Sequence, residues 1–229
     1  MARRRVNTTK YEIIRVATRQ FLEKGYSATS PRTICDELDL STGNLTYYFQ
    51  TKEHLLAVLV EMLCDFQWKM IQAVVEEGHT SILAICLELA TMIVMCDENE
   101  IAKDFYLSAY SHPHTLEIIR KNDARRAKMV FGDYCENWTD EQYAEAEILV
   151  SGIEYASMLP VGDPVSTEAR IAGAIENILG IYNVPSIIRE AKINKLFKMD
   201  YRKISREILK EFREYVEEVN DHTFEELFK

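Results

Sequence analysis

The sequence predicts an all-α protein, with a small three-helix N-terminal head and a larger helical body. Two observations carry this. Apolar residues recur at spacings of three and four along nearly the whole chain, the period of one helix face. Gly (8) and Pro (5) are sparse and fall mostly between those stretches, where they end helices rather than interrupt them. With 229 residues and 47% apolar side chains, the chain has enough material to bury a sizeable core without metals or disulfides.

Several classes are disfavoured. The longest apolar run, residues 82–96, contains Glu88 and is too short to span a bilayer. No apolar signal segment follows Arg3, Arg4 and Arg5, so a cytoplasmic location without membrane attachment is expected. The five cysteines are odd in number, widely spaced and form no C-x-x-C pair, which points to reduced, mostly buried thiols. His112-Pro113-His114 is more simply a loop and helix start than part of a metal site. With no nucleophile elbow and no Gly-rich phosphate loop, no enzymatic activity, metal or cofactor is expected. The net charge of -10 is unevenly spread: residues 1–55 hold nine Lys/Arg against six Asp/Glu, leaving 18 against 31 for the rest. A basic head and an acidic body suit a protein that meets phosphates at one end only, because charge beyond a Debye length of about 8–10 Å is largely screened.

In the first helix, Ile14, Ala17 and Phe21, widened by Ile13 and Leu22, make the apolar stripe, and Gly25 supplies a left-handed end. Ser30 is a good N-cap and Pro31 suits the first helical position, so a second helix runs to about Leu38. Asp39 and Leu40 make the turn. Ser41 caps a third helix whose Leu45 and Phe49 anchor it, leaving Thr42, Asn44, Thr46, Tyr47 and Tyr48 outward or flanking. Gly43 costs ~1 kcal/mol against Ala in a helix but removes a side chain where backbone can approach phosphate or a base edge. Two short helices about a tight turn, the second studded with polar groups, form the pattern of a DNA-reading helix-turn-helix. Arg32 and the Arg3–5 arm add phosphate-binding charge on electrostatic grounds.

A long fourth helix from near Lys52 to about residue 77 aligns Leu55, Leu56, Leu59, Leu63 and Phe66 and joins a head of residues 1–52 to a body of residues 53–229. Further helices are predicted at about 80–96, 98–110, 113–136, 140–158, 166–183, 186–197 and 201–219. The pair 140–158 and 166–183 is rich in small residues, including Gly152, Ala156, Ala169 and Gly173, which suit close helix approach, either in an internal hairpin or between two copies. Trp68, Met92, Phe105, Tyr106, Tyr110 and Tyr155 are individually explained by core packing. Together with Glu88 and Glu154, which interrupt apolar helices, they can line a cavity for a cationic or aromatic small molecule.

The stretch Phe21-Leu22-Glu23-Lys24-Gly25-Tyr26, then Ser30, Ile34, Leu40-Ser41, Gly43-Asn44-Leu45, Tyr47-Tyr48-Phe49 and Lys52-Glu53-x-Leu55-Leu56, resembles the tetracycline-repressor (TetR) family of bacterial regulators over about residues 8–60. The resemblance implies that Thr42 to Tyr48 form a recognition helix for the major groove. It further implies that Ser30, Tyr47, Tyr48 and Lys52 meet phosphates, and that Ser41 and Asn44 touch phosphate or base. It also implies a homodimer joined by two C-terminal helices from each copy. Two positions depart from the family: Thr46 stands where an aromatic Tyr is usual, and Asp39 replaces the turn glycine. The expectation is a ligand-responsive regulator, a repressor, that binds duplex operator DNA of near-palindromic sequence. The alternative is a helical small-molecule or protein-binding module whose head no longer recognises DNA.

Overall fold

The computed structural model of the chain describes residues 2–76, 81–159 and 165–228, and among these it is helical throughout with no strand. The head comprises α1 (Ala2–Lys24), α2 (Pro31–Leu38) and α3 (Thr42–Tyr48), closed by the start of α4 (Lys52–Glu76). Local chemistry accounts for each boundary. The Ser30 hydroxyl accepts from Thr33 N–H while the Thr33 hydroxyl accepts from Ser30 N–H, a capping box that uses threonine in place of the commoner glutamate. Asp39 ends α2 in the left-handed region (φ 51°, ψ 42°) with its N–H on the Cys35 carbonyl, the role a glycine would ordinarily take. The Ser41 hydroxyl then accepts from Asn44 N–H to start α3. Gly25 is required twice over: its φ is 95°, and a Cβ there would lie 2.8 Å from Asp104 Oδ2 of the body.

The body is built from α4, α5 (Ser81–Glu98), α6 (Glu100–Ser111), α7 (Pro113–Phe131), α8 (Asp140–Met158), α9 (Thr167–Ile181), α10 (Ser186–Leu196) and α11 (Tyr201–Phe228). Helix α5 is apolar on nearly every side and forms the axis of the body, with α4, α6, α8, α9, α10 and α11 packed around it. Phe21, Ile34, Leu45 and Phe49 of the head share one continuous core with Leu55, Leu56 and Leu59 of α4 and with the body. All five cysteines are free and buried, and burial pushes the thiols of Cys64, Cys86 and Cys96 up to about 12. Among the described residues, no helix is long and apolar enough to cross a membrane.

Two elements differ from the sequence expectation. The helix expected at 113–136 ends at Phe131 and continues as a 3-10 turn over Gly132–Tyr134, as the Phe131 ring stacks on Tyr182 at 4.4 Å. The last helix continues to Phe228 rather than about 219. Its buried stripe of Tyr201, Ser205, Phe212, Val216 and Asn220 includes two polar residues that an apolar pattern does not count. Asn220 is matched in the fold by Thr18 of α1, to whose hydroxyl it donates at 3.1 Å, and Asp221 pairs with Arg15 at 3.0 Å. The head therefore rests on α11 as well as on α4.

Leu45 is 1% exposed and is the chief anchor of α3. Leu45→Ala should cost about 2–5 kcal/mol, read as a lowered midpoint in chemical denaturation.

Candidate nucleic-acid interface and body cavity

Helix α3 presents one side to the core and the other to solvent. Leu45 and Phe49 are buried, whereas Ser41, Thr42, Gly43, Asn44, Thr46 and Tyr47 are exposed, Tyr47 by 77%. Tyr48 is half-buried and meets Tyr47 edge-on at 5.0 Å, so two phenols stand side by side at the end of the helix. Thr46 turns its hydroxyl back to the carbonyls of Thr42 and Gly43, both at 3.1 Å. At the start of α2, Arg32 extends into solvent with only a loose pairing to Asp36 at 3.8 Å. Arg3, Arg4 and Arg5 lie outside the residues whose side chains are described.

Lys52 has a second task within the head. Its ammonium donates to the carbonyls of Tyr26 (2.9 Å) and Thr29 (3.0 Å) and sits 3.8 Å above the Tyr26 ring, bracing the α1–α2 loop against α4. Burial lowers its pKa, against the pull of Glu53 and Asp104. Two of the three ammonium donors are thus committed to the fold.

In the body, the sequence-selected residues separate into two places. Phe105 and Tyr106 line a small apolar gap of about 20 Å³ with Leu22, Leu63 and Phe212. Glu88, Met92 and Glu154 line a second cavity of about 40 Å³ with Asp123, Arg126, Glu147 and Tyr182. Tyr110 belongs to this second cluster through its hydroxyl, which donates to Glu154 Oε2 at 2.9 Å. Trp68 donates its indole N–H to Asn122 Oδ1 at 2.8 Å, and Tyr155 packs against the core beside neither cavity.

Charge is unequally matched in the second cavity. The Arg126 guanidinium binds Glu88 through both terminal nitrogens and Asp123 through one at 2.9 Å, while Gln67 donates to Glu88 at 2.6 Å. Glu88 therefore already has its cation. Burial would lower the Arg126 pKa, but Glu88 and Asp123 together raise it, so the guanidinium stays charged. Burial pushes Asp123 up to about 6 despite Arg126. Glu147 and Glu154 take their side-chain hydrogen bonds from neutral phenols rather than from a cation: Tyr182 donates to Glu147 Oε1 and Tyr110 to Glu154. Burial, reinforced by Asp123, raises Glu147 to about 8 and Glu154 well above its ordinary range. Sequence reasoning passed over Asp123, Arg126, Glu147 and Tyr182. Asp123 and Arg126 sit in the charge-rich stretch 120–128, and Glu147 among alternating acids and alanines, both of which resemble solvated faces. The available signal was the i, i+7 spacing of Glu147 and Glu154, two turns apart on one helix face.

An acid whose folded pKa lies above its unfolded value stabilises the fold fully below the unfolded pKa, and that contribution is lost as pH rises through the folded one. For Glu147 the window runs from about 4.5 to about 8. Glu147→Gln, which mimics the neutral acid, should therefore gain stability relative to the parent between pH 5 and pH 8, measured by urea titration at both.

The comparisons with known proteins agree with this geometry. The family model described as bacterial regulatory proteins, tetR family, matches residues 13–59, which span α1 to the first turns of α4. The HTH-type transcriptional repressor KstR2 of Mycolicibacterium smegmatis is 23% identical over 151 residues, covering 65% of this chain and 67% of the relative. The repressor of the same name from Mycobacterium tuberculosis is 25% identical over 157 residues, covering 68% and 72%. The helix-turn-helix head of this chain thus matches the tetR family of bacterial regulatory proteins, and about two thirds of the chain is similar to transcriptional repressors.

Proposed function

We propose that the chain is a ligand-responsive transcriptional repressor that binds a near-palindromic duplex operator as a homodimer. The observation that carries the DNA reading is the division of α3, with Leu45 and Phe49 seated in the core and Thr42, Asn44, Thr46 and Tyr47 turned outward. In this reading α3 enters the major groove. Asn44, Thr42 and Thr46 meet base edges across the opening left by Gly43, and Ser30, Arg32, Ser41, Tyr47, Tyr48 and Lys52 hold phosphates.

The dimer reading is supported by α8 and α9. Gly152 and Ala156 of α8 and Ala169 and Gly173 of α9 are exposed, flanked by Ile148 and Leu149 at 54% and 61% exposure. Small residues beside exposed large apolar ones suit close helix packing against a second copy. Two heads about 34–36 Å apart would then reach successive major grooves.

The ligand-responsive part rests on the body cavity and on how it joins the head. Helix α6 carries Tyr110 into the cavity cluster, and two turns earlier carries Asp104, which accepts from Ser27 N–H at 2.7 Å and from the Ser27 hydroxyl. Tyr26 meets His112 edge-on at 5.5 Å just beyond α6. An effector that favours one arrangement of α6 and α4 would shift the population of head spacings and release DNA by its differential affinity.

On a fragment selected from a random duplex pool, affinity should fall steeply and log-linearly with salt in a mobility-shift titration. Tyr47→Ala and Asn44→Ala should each weaken binding by about tenfold or more, and Arg32→Ala should reduce the salt slope by about one. A purified chain that ignores duplex at low salt would instead favour a binding module without DNA recognition. Leu149→Arg should shift the sedimentation-equilibrium mass from dimer to monomer, because it places charge at the centre of the proposed contact.

A further inference from the structure

We propose that the cavity between α5, α7 and α8 binds a primary alkylammonium ion, its nitrogen at the Glu147 carboxylate and its chain against Ile85, Leu89 and Met92. This rests on the reading of the body as an effector-binding domain and gives its ligand a chemical class. Glu88, Asp123, Glu147 and Glu154 line one cavity together with a single guanidinium, Arg126. That guanidinium is taken by Glu88 and Asp123. Glu147 is 2% exposed, and its Oε2 has no hydrogen-bond partner. A buried oxygen left without a partner on a residue that lines a cavity calls for a polar ligand group, and the surplus of acid groups calls for a positive one. Ile85, Leu89, Met92 and Val150 supply an apolar wall that offers no oxygen ligands to a divalent ion and its waters but suits a hydrocarbon chain, so an organic ammonium fits best.

The proton balance follows from the surroundings. Glu147 faces Glu88 from α5, Asp123, Arg120 and Arg126 from α7, Glu154 from its own helix, and the phenols of Tyr110 and Tyr182. Arg120 is itself tied to the Ser151 hydroxyl at 2.8 Å. Burial holds Glu147 protonated up to about pH 8 and keeps both phenols neutral beyond that. On binding, the acid O–H proton leaves to solvent and the ammonium N–H takes its place against the carboxylate. One proton is released per cation bound below that pH.

The test uses n-butylammonium as probe and 1-butanol as its uncharged counterpart, with the 229-residue chain, in isothermal titration calorimetry in two buffers of different ionisation enthalpy. The expected results are at least tenfold preference for the ammonium, release of about one proton at pH 7, and about tenfold tighter binding at pH 7 than at pH 6. Glu147→Gln should abolish the preference and the proton release. Should that variant fail to fold, the pH slope and the butanol comparison on the unaltered protein still decide. Equal binding of butanol, absence of binding, or ammonium binding without proton release overturns the proposal. Mobility shifts without amine report the DNA reading separately: a chain that binds duplex but ignores the ammonium sinks this inference alone, and one that binds the ammonium but ignores duplex sinks the regulator reading alone.

Discussion

The structure depends on α4 belonging to two cores at once. Its first turns bury Leu55, Leu56 and Leu59 against Phe21, Ile34, Leu45 and Phe49 of the head, and its later turns bury Leu63 and Phe66 against α5 and α11. Because packed interiors transmit displacement rather than absorb it, the outward face of α3 is held in register with the body by the same helix that closes its core. Lys52, at the start of that helix, adds a polar brace through the carbonyls of Tyr26 and Thr29. The one residue thus serves the head's internal geometry as well as its electrostatic field.

The body pays for its chemistry with buried charge. An ion pair in a poorly solvated interior is weak evidence for stability, because desolvation offsets most of the Coulomb gain. Arg126 with Glu88 and Asp123, and the barely matched Glu147 and Glu154, are therefore poor choices for a core designed only to hold together. Their concentration on facing sides of α5, α7 and α8, with aromatic partners from α6 and the end of α9, is what the proposed effector site rests on. The contacts of α6 with the head loop at Ser27, and of α11 with α1 at Thr18, join the body directly to the head.

Legibility followed the range of the interaction. The caps at Ser30 and Ser41, the left-handed turn at Asp39 and the anchoring of Leu45 and Phe49 are local, spanning three to five residues, and each was readable from neighbours in the chain. The small-residue content of α8 and α9 was equally readable, but its division into an inner face (Ala146, Ala174) and an outer one (Gly152, Gly173) was not, since it depends on how the two helices are rolled against α5. The extension of α11 was hidden because its stripe is completed by Asn220, whose burial is tolerable only with Thr18 opposite, 202 positions away in sequence.

The amino-acid sequence by itself determined an all-helical chain, the position of the head, and the polar face of α3, because hydrophobic periodicity and capping act over one or two turns. Tertiary structure alone decided that Lys52 commits two of its donors to the α1–α2 loop, that Glu88 is neutralised by Arg126 across 38 residues, and that Glu147 is left with an unmatched oxygen. Those outcomes depend on which side chains meet across helices and on how much water is excluded where they meet. Desolvation is a property of the packed interior and has no counterpart in local residue spacing.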